Sequence, residues 1–183
     1  MPISQPERLQ LVQLARQAVE AEVCGAVPPR VEAPAGVLAE KRGCFVTLTN
    51  RGNLRGCIGT FMPDKPLGEM IIEMGQSAAQ DPRFVYNPIT PQELSQLAIE
   101  VSVISPLEPT PEPEKLTVGT HGIYIIRGGR AGCFLPEVAT DQGWDAATFL
   151  SYCCAHKAGL PADAWRKPDT QVFLFTSEKF GDE

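Results

Sequence analysis

The chain reads as an α+β fold: a mostly antiparallel sheet with flanking helices. Three observations predict it. Apolar and β-branched runs flank turn residues at Asn50-Arg51-Gly52-Asn53 and at Gly128-Gly129, the marks of hairpins. Other stretches, after Ser4 and after Pro66, carry apolar residues at helical spacing. Strands and helices are mixed along the chain, which suits an antiparallel sheet.

Taken in order, Ser4-Gln5-Pro6-Glu7 is a capping box with proline in the first turn. Leu11, Ala15, Ala18 and Val19 follow at helical spacing, so a first helix runs to about Val23. Residues 24–38 hold Gly25, Pro28, Pro29, Pro34 and Gly36 and read as an irregular connection. Cys44-Phe45-Val46-Thr47-Leu48-Thr49 has strand composition. With the turn after it and Leu54–Thr60, residues 43–61 form a predicted hairpin. Asp64 is placed to cap a second helix, whose apolar face holds Leu67, Met70, Ile71 and Met74. Asp81-Pro82 stops it, because the residue before proline disfavours the α region.

Thr90-Pro91-Gln92-Glu93 reads as a second capping box that opens a short helix around Leu94. Ile99, Val101 and Val103 alternate with Glu100 and Ser102, a half-buried strand. Pro106, Pro109, Pro111 and Pro113 make a stiff connector. The expectation is a single domain over residues 1–183, in which this connector could join two lobes near 105–114. Ile123–Ile126 and Ala131–Leu135 form the second hairpin. Asp145–Ala158 reads as a helix, with Gly159 as its stop and Pro161 just beyond. Thr170–Phe175 is a last strand.

The 183 residues carry a net charge of −6, which argues against a nucleic-acid surface. No apolar run approaches the ~20 residues of a membrane span. The first residues lack the basic and apolar regions of a signal peptide, so the expected location is the cytoplasm. Six cysteines should then be reduced thiols, and none are spaced Cys-x-x-Cys. With only two histidines, a histidine-rich metal site is excluded. Neither a metal nor another cofactor is expected: no glycine-rich phosphate loop, Ser/His/Asp motif or HExxH is present.

The stretch with an unusual composition is Leu54-Arg55-Gly56-Cys57-Ile58-Gly59-Thr60. In a regular strand Arg55 and Cys57 share one face. A cation beside a thiol favours the nucleophilic thiolate, and Gly56 and Gly59 suggest close approach to the backbone. Cys57 is therefore the candidate nucleophile, with Arg55, Gly56 and Gly59 as substrate contacts. The competing reading is a cysteine that fills core space. His121, between Thr120 and Gly122, is the candidate base; a loop histidine bonded to backbone is its alternative. Asp81 and Arg83 read either as a helix stop with a surface ion pair or as a wall of the site. Cys133, on the second hairpin, either packs or lines the cleft if the two hairpins face one another.

These residues carry a resemblance. Leu54–Gly59, the preceding Phe45–Leu48, Asp81–Phe84, Ile99–Val103, His121-Gly122, Phe134-Leu135-Pro136, Gly143-Trp144 and Lys157–Pro161 together resemble the AMMECR-one domain family, known in prokaryotes as AmmeMemoRadiSam system protein A. The likeness covers nearly the whole chain. It implies an α+β fold of two subdomains around a cleft, with the motif strand in or near it. It also implies a radical-SAM protein and a Memo-like protein as partners, and names no reaction. Two functions are then expected. One is a thiol-dependent enzyme component working through Cys57. The other is a noncatalytic module that holds a small ligand, peptide or partner.

Overall fold

The computed structural model describes residues 2–182. Among them the chain forms two compact units, residues 105–177 and the remainder, 2–104 with 178–182. The boundary falls where the proline-rich stretch begins.

In the first unit, helix α1 spans Gln5–Cys24. The Glu7 carboxylate accepts from the Ser4 backbone N at 3.1 Å and from Ser4 Oγ at 2.6 Å. Its other oxygen accepts from Val37 N at 3.0 Å, so the helix start also anchors the irregular segment after α1. Gly25, at φ 66°, closes the helix in the left-handed conformation. Helix α2 spans Leu67–Ala79. It starts directly after Pro66, and no side chain caps it; the expected cap at Asp64 lies outside the helix. The two helices approach closely at Gly75, where an added Cβ would stand 3.1 Å from the Ala15 carbonyl.

Strands β1 (Cys44–Asn50), β2 (Asn53–Thr60) and β3 (Leu97–Ile104) build a sheet with β1 central and antiparallel to both neighbours. Cys44, Val46 and Leu48 are fully buried on the core face, with Ile99, Val101 and Val103 beside them. Phe45, Thr47 and Thr49 point to the other face. The expected helix around Leu94 is a 3₁₀ turn, Pro91–Gln96. Thr90 does not cap it through its side chain, and Glu93 is committed elsewhere.

The second unit has a sheet in the order β4 (Glu108–Pro109), β7 (Gln171–Phe175), β5 (Gly122–Arg127), β6 (Arg130–Phe134). A short helix α3, Pro136–Gln142, follows β6 and has no counterpart in the sequence expectations. Helix α4, Ala146–Tyr152, begins at Asp145, whose Oδ1 accepts from Thr148 N at 2.8 Å. It continues as a π-turn over Cys153–Lys157 and stops at Gly159, at φ 66°. Cys153 and Cys154 would diverge by about 100° on an α-helix. Both are fully buried, because β6 presses on the π-turn. A Cβ at Gly132 would stand 2.4 Å from the Ala158 nitrogen. Strand β8, Ser177–Gly181, then joins β3 in the first sheet.

The β1–β2 and β1–β3 pairs of one sheet and the β4–β7, β5–β6 and β5–β7 pairs of the other are all antiparallel, so the class is α+β as expected. Among the described residues, no helix is long and apolar enough to cross a membrane.

Candidate functional site

The motif strand β2 is not regular. Leu48 faces Gly56 and Thr49 faces Leu54, so Arg55 is an extra residue without an opposite, a β-bulge. The bulge breaks the alternation that would place Arg55 beside Cys57. Cys57 lies opposite Thr47 on the face away from the core. Arg55 instead donates to Glu93, from Nε at 2.6 Å and from Nη2 at 3.1 Å, and to the Asn87 carbonyl at 3.0 Å. Asn50 donates to the same carboxylate at 3.1 Å. The guanidinium holds the Glu93 carboxyl below its usual range, against the opposing effect of burial. The expected partnership of Arg55 with the thiol is thus corrected: its charge is matched by Glu93.

The cation near Cys57 is Arg83. Its Nη2 donates to the Cys57 carbonyl at 3.3 Å. On the other side of the residue, Cys57 N donates to Asp81 Oδ2 at 3.0 Å. Asp81 is 3% exposed. It also accepts from Arg83 N at 3.0 Å, from Arg83 Nε at 3.0 Å and from Arg83 Nη2 at 2.6 Å. The Arg83 side chain, with those two backbone donors, holds the Asp81 carboxyl well below the carboxylate range although burial opposes it. The Asp81-Pro82-Arg83 turn therefore grips the main chain of Cys57 through both its N–H and its C=O. The thiol itself is half-buried and accepts from Thr47 Oγ1 at 3.3 Å.

The glycines of the motif serve the fold. A Cβ at Gly56 would stand 2.0 Å from the Ala78 carbonyl at the end of α2, and one at Gly59 2.3 Å from the Phe45 ring. At both residues protein atoms occupy the place a Cβ would take, so packing alone calls for glycine there.

His121 and Cys133 belong to the second unit, whereas Cys57, Arg55, Asp81 and Arg83 belong to the first. His121 Nδ1 accepts from Thr117 N at 2.9 Å, and its backbone N–H returns to the Thr117 carbonyl at 3.0 Å. Cys133 is half-buried, and burial pushes its thiol up while Lys157 partly offsets that. Among the described residues, no cluster of three or more His, Cys, Asp or Glu could hold a metal ion.

Four residues of this neighbourhood were missed from sequence. In the sequence pattern Thr47 is only a strand residue and Glu93 only a cap. Val85 and Tyr86 are 66% and 100% exposed. The signal for this last pair was present: Phe84-Val85-Tyr86 is an apolar run that neither a helical nor a strand period absorbs. Phe84 also stacks under both cations, 5.6 Å from Arg55 and 5.9 Å from Arg83.

The first unit therefore presents a two-layer α/β body whose bulged edge strand carries a clamped thiol beside a paired arginine. The AMMECR1 family model matches residues 12–180. A protein of Methanothermobacter thermautotrophicus is 42% identical, over 100% of this chain and 97% of its own length. One from Methanopyrus kandleri is 44% identical, over 94% of this chain and 87% of its own. The crystal structure of an uncharacterized protein from Pyrococcus horikoshii superposes with a TM-score of 0.80 at 39% identity, covering 94% of this chain and 90% of that one. The chain belongs to the AMMECR1 family.

Proposed function

We propose that the chain is a thiol-dependent component that acts with a radical-SAM protein and a Memo-like protein in the cytoplasm, with Cys57 as its reactive group. One observation carries the reading. Cys57 combines a half-buried position, unlike the buried Cys44, Cys153 and Cys154, with a main chain held on both sides by Asp81 and Arg83. A core cysteine needs no such grip; a nucleophile that must meet an electrophile in one orientation does. Thr47 Oγ1 donates to the sulfur and orients its remaining lone pairs. The partners rest on the family resemblance.

Alkylation of the folded chain tests it, read by mass spectrometry of peptides. Cys57 and the exposed Cys24 should react. Buried Cys44, its thiol pushed up to about 12 by burial, and buried Cys153 should react only after denaturation. Cys57→Ser should remove one adduct and leave thermal stability nearly unchanged. A native Cys57 that resists alkylation as Cys44 does would overturn the proposal.

The binding reading has its own support. A depression of about 450 Å³ is lined by Ala79, Pro82, Phe84, Val85, Pro88 and Ile89, next to exposed Tyr86. Exposed tyrosine beside an apolar depression is a common feature of protein interfaces. Under this reading Tyr86→Ala weakens capture of the partner proteins and Cys57→Ser leaves it intact.

A further inference from the structure

The main-chain N–H of a nucleophile is the donor nearest its own side chain. Acyl-transfer sites aim such donors, from about 3 Å, at the oxygen on which negative charge develops. At Cys57 that place is filled: Asp81 Oδ2 stands 3.0 Å from Cys57 N. The carboxylate is fixed there, being 3% exposed and also accepting from Arg83 N, Nε and Nη2. Arg83 holds it ionised, and the Arg83 charge is matched by the same group. The next N–H along the strand is no substitute. Cys57 turns its N–H off the sheet edge, so that of Ile58, opposite Val46, is turned into the β1–β2 ladder. An oxyanion formed on an acyl group at Cys57 would meet a carboxylate where it needs a donor.

We infer, on the reading of Cys57 as a reactive thiol, that its substrates are disulfides of small thiols, and that it carries such a thiol as a mixed disulfide rather than an acyl group. The Cys57 thiolate attacks one sulfur of the disulfide in line. A new S–S bond forms, the old one breaks, and the leaving thiolate takes a proton from water. Cys57 is oxidised and the leaving thiol reduced, with no further oxidant. Negative charge passes from sulfur to sulfur and never settles on oxygen, so the exchange needs no oxyanion donor. Thr47 Oγ1, 3.3 Å from Sγ, supports the charge on the attacking sulfur. The other cysteines of the first unit are placed away from the adduct. Cys44 is fully buried on the core face, and Cys24 ends α1, which packs on that face. Within this unit the mixed disulfide therefore persists until an external thiol removes it.

Three reagents test this on the full chain: 4,4′-dithiodipyridine for exchange, p-nitrophenyl acetate for acylation and iodoacetamide for alkylation. Cys57→Ser supplies the background and glutathione the free-thiol reference. The ratio of exchange rate to acylation rate at Cys57 should exceed that of glutathione at least about tenfold, since one oxyanion donor is worth about 10²–10³ in rate. Asp81→Ala frees the Cys57 N–H and should narrow the ratio. The reagent comparison on the unaltered chain decides the matter even where that variant fails to fold. Alkylation of Cys57 with a ratio no higher than that of glutathione would overturn the inference and leave the thiol reading standing. A Cys57 inert to all three reagents would overturn both.

Discussion

Asp81→Asn keeps the shape of a side chain and removes its charge, and the geometry sets the cost. Oδ1 serves Arg83 N and Nε; Oδ2 serves Cys57 N and Arg83 Nη2. An amide accepts through one of these positions only. Its NH₂ must face either the Cys57 N–H or the Arg83 N–H, and that donor is left without a partner. The cost of one unmatched buried donor is about 1–3 kcal/mol. The ion pair adds less than about 1 kcal/mol, because the Arg83 side chain is 57% exposed. The sum is about 1–4 kcal/mol, or a fall in Tm of roughly 2–16 °C for a chain of this size.

The pH dependence has a definite sign. The native carboxyl of Asp81 is lowered, so its stabilisation is present above the unfolded value of about 3.9. It is lost as pH falls through that value and on through the native one. Asn does not titrate. Urea denaturation of both proteins should therefore show the full gap at pH 7 and a smaller gap near pH 3. A gap below about 0.5 kcal/mol at pH 7, or the same gap at both pH values, would refute the account of the clamp.

Gly56→Ala drives a Cβ into the Ala78 carbonyl, and the obstacle is backbone rather than a movable side chain. The expected loss is near the upper end of the ~1–3 kcal/mol typical of overpacking, visible as a lower Tm; an unchanged Tm would mean that the end of α2 yields freely. The side chains of Arg55 and Glu93 are 10% and 16% exposed. Arg55→Met or Glu93→Gln alone should each cost about 3–5 kcal/mol by stranding the partner, and the double variant should cost less than the sum. Additive costs in that double-mutant cycle would show that the pair is not coupled.

The hairpins and the first helix were legible because their signals are local. Ser4 and Glu7 meet within one turn, and Gly25 needs only its own φ. The site was legible in composition but not in arrangement. Whether Arg55 and Cys57 share a face depends on how β2 registers with β1, and the bulge after Leu48 is a property of that pairing. Glycines 56 and 59 signalled close approach correctly. The groups that approach, the end of α2 and the Phe45 ring, are set by tertiary packing. Glu93 fitted a capping box at three-residue spacing, and a buried guanidinium claimed it. Helix α3 spans only seven residues with little apolar periodicity, and β8 is a short, largely polar strand. Neither offers a pattern strong enough to read alone.

The return of the chain to its first sheet has a consequence for synthesis. Arg16 pairs with Asp182 and donates to the Leu97 carbonyl; Asp182 also accepts from Ile99 N at 2.9 Å, and Glu178 holds Arg8 at 2.8 Å. All of the second unit is translated between β3 and β8. Until β8 emerges from the ribosome, β3 is an open sheet edge that carries Ile99, Val101 and Val103, the kind of strand that recruits foreign β-structure. The second unit is continuous in sequence and can close on itself first. Co-translational folding should therefore run opposite to chain order, with the half begun earlier finished later, and nascent chains stalled before Ser177 should be the aggregation-prone ones.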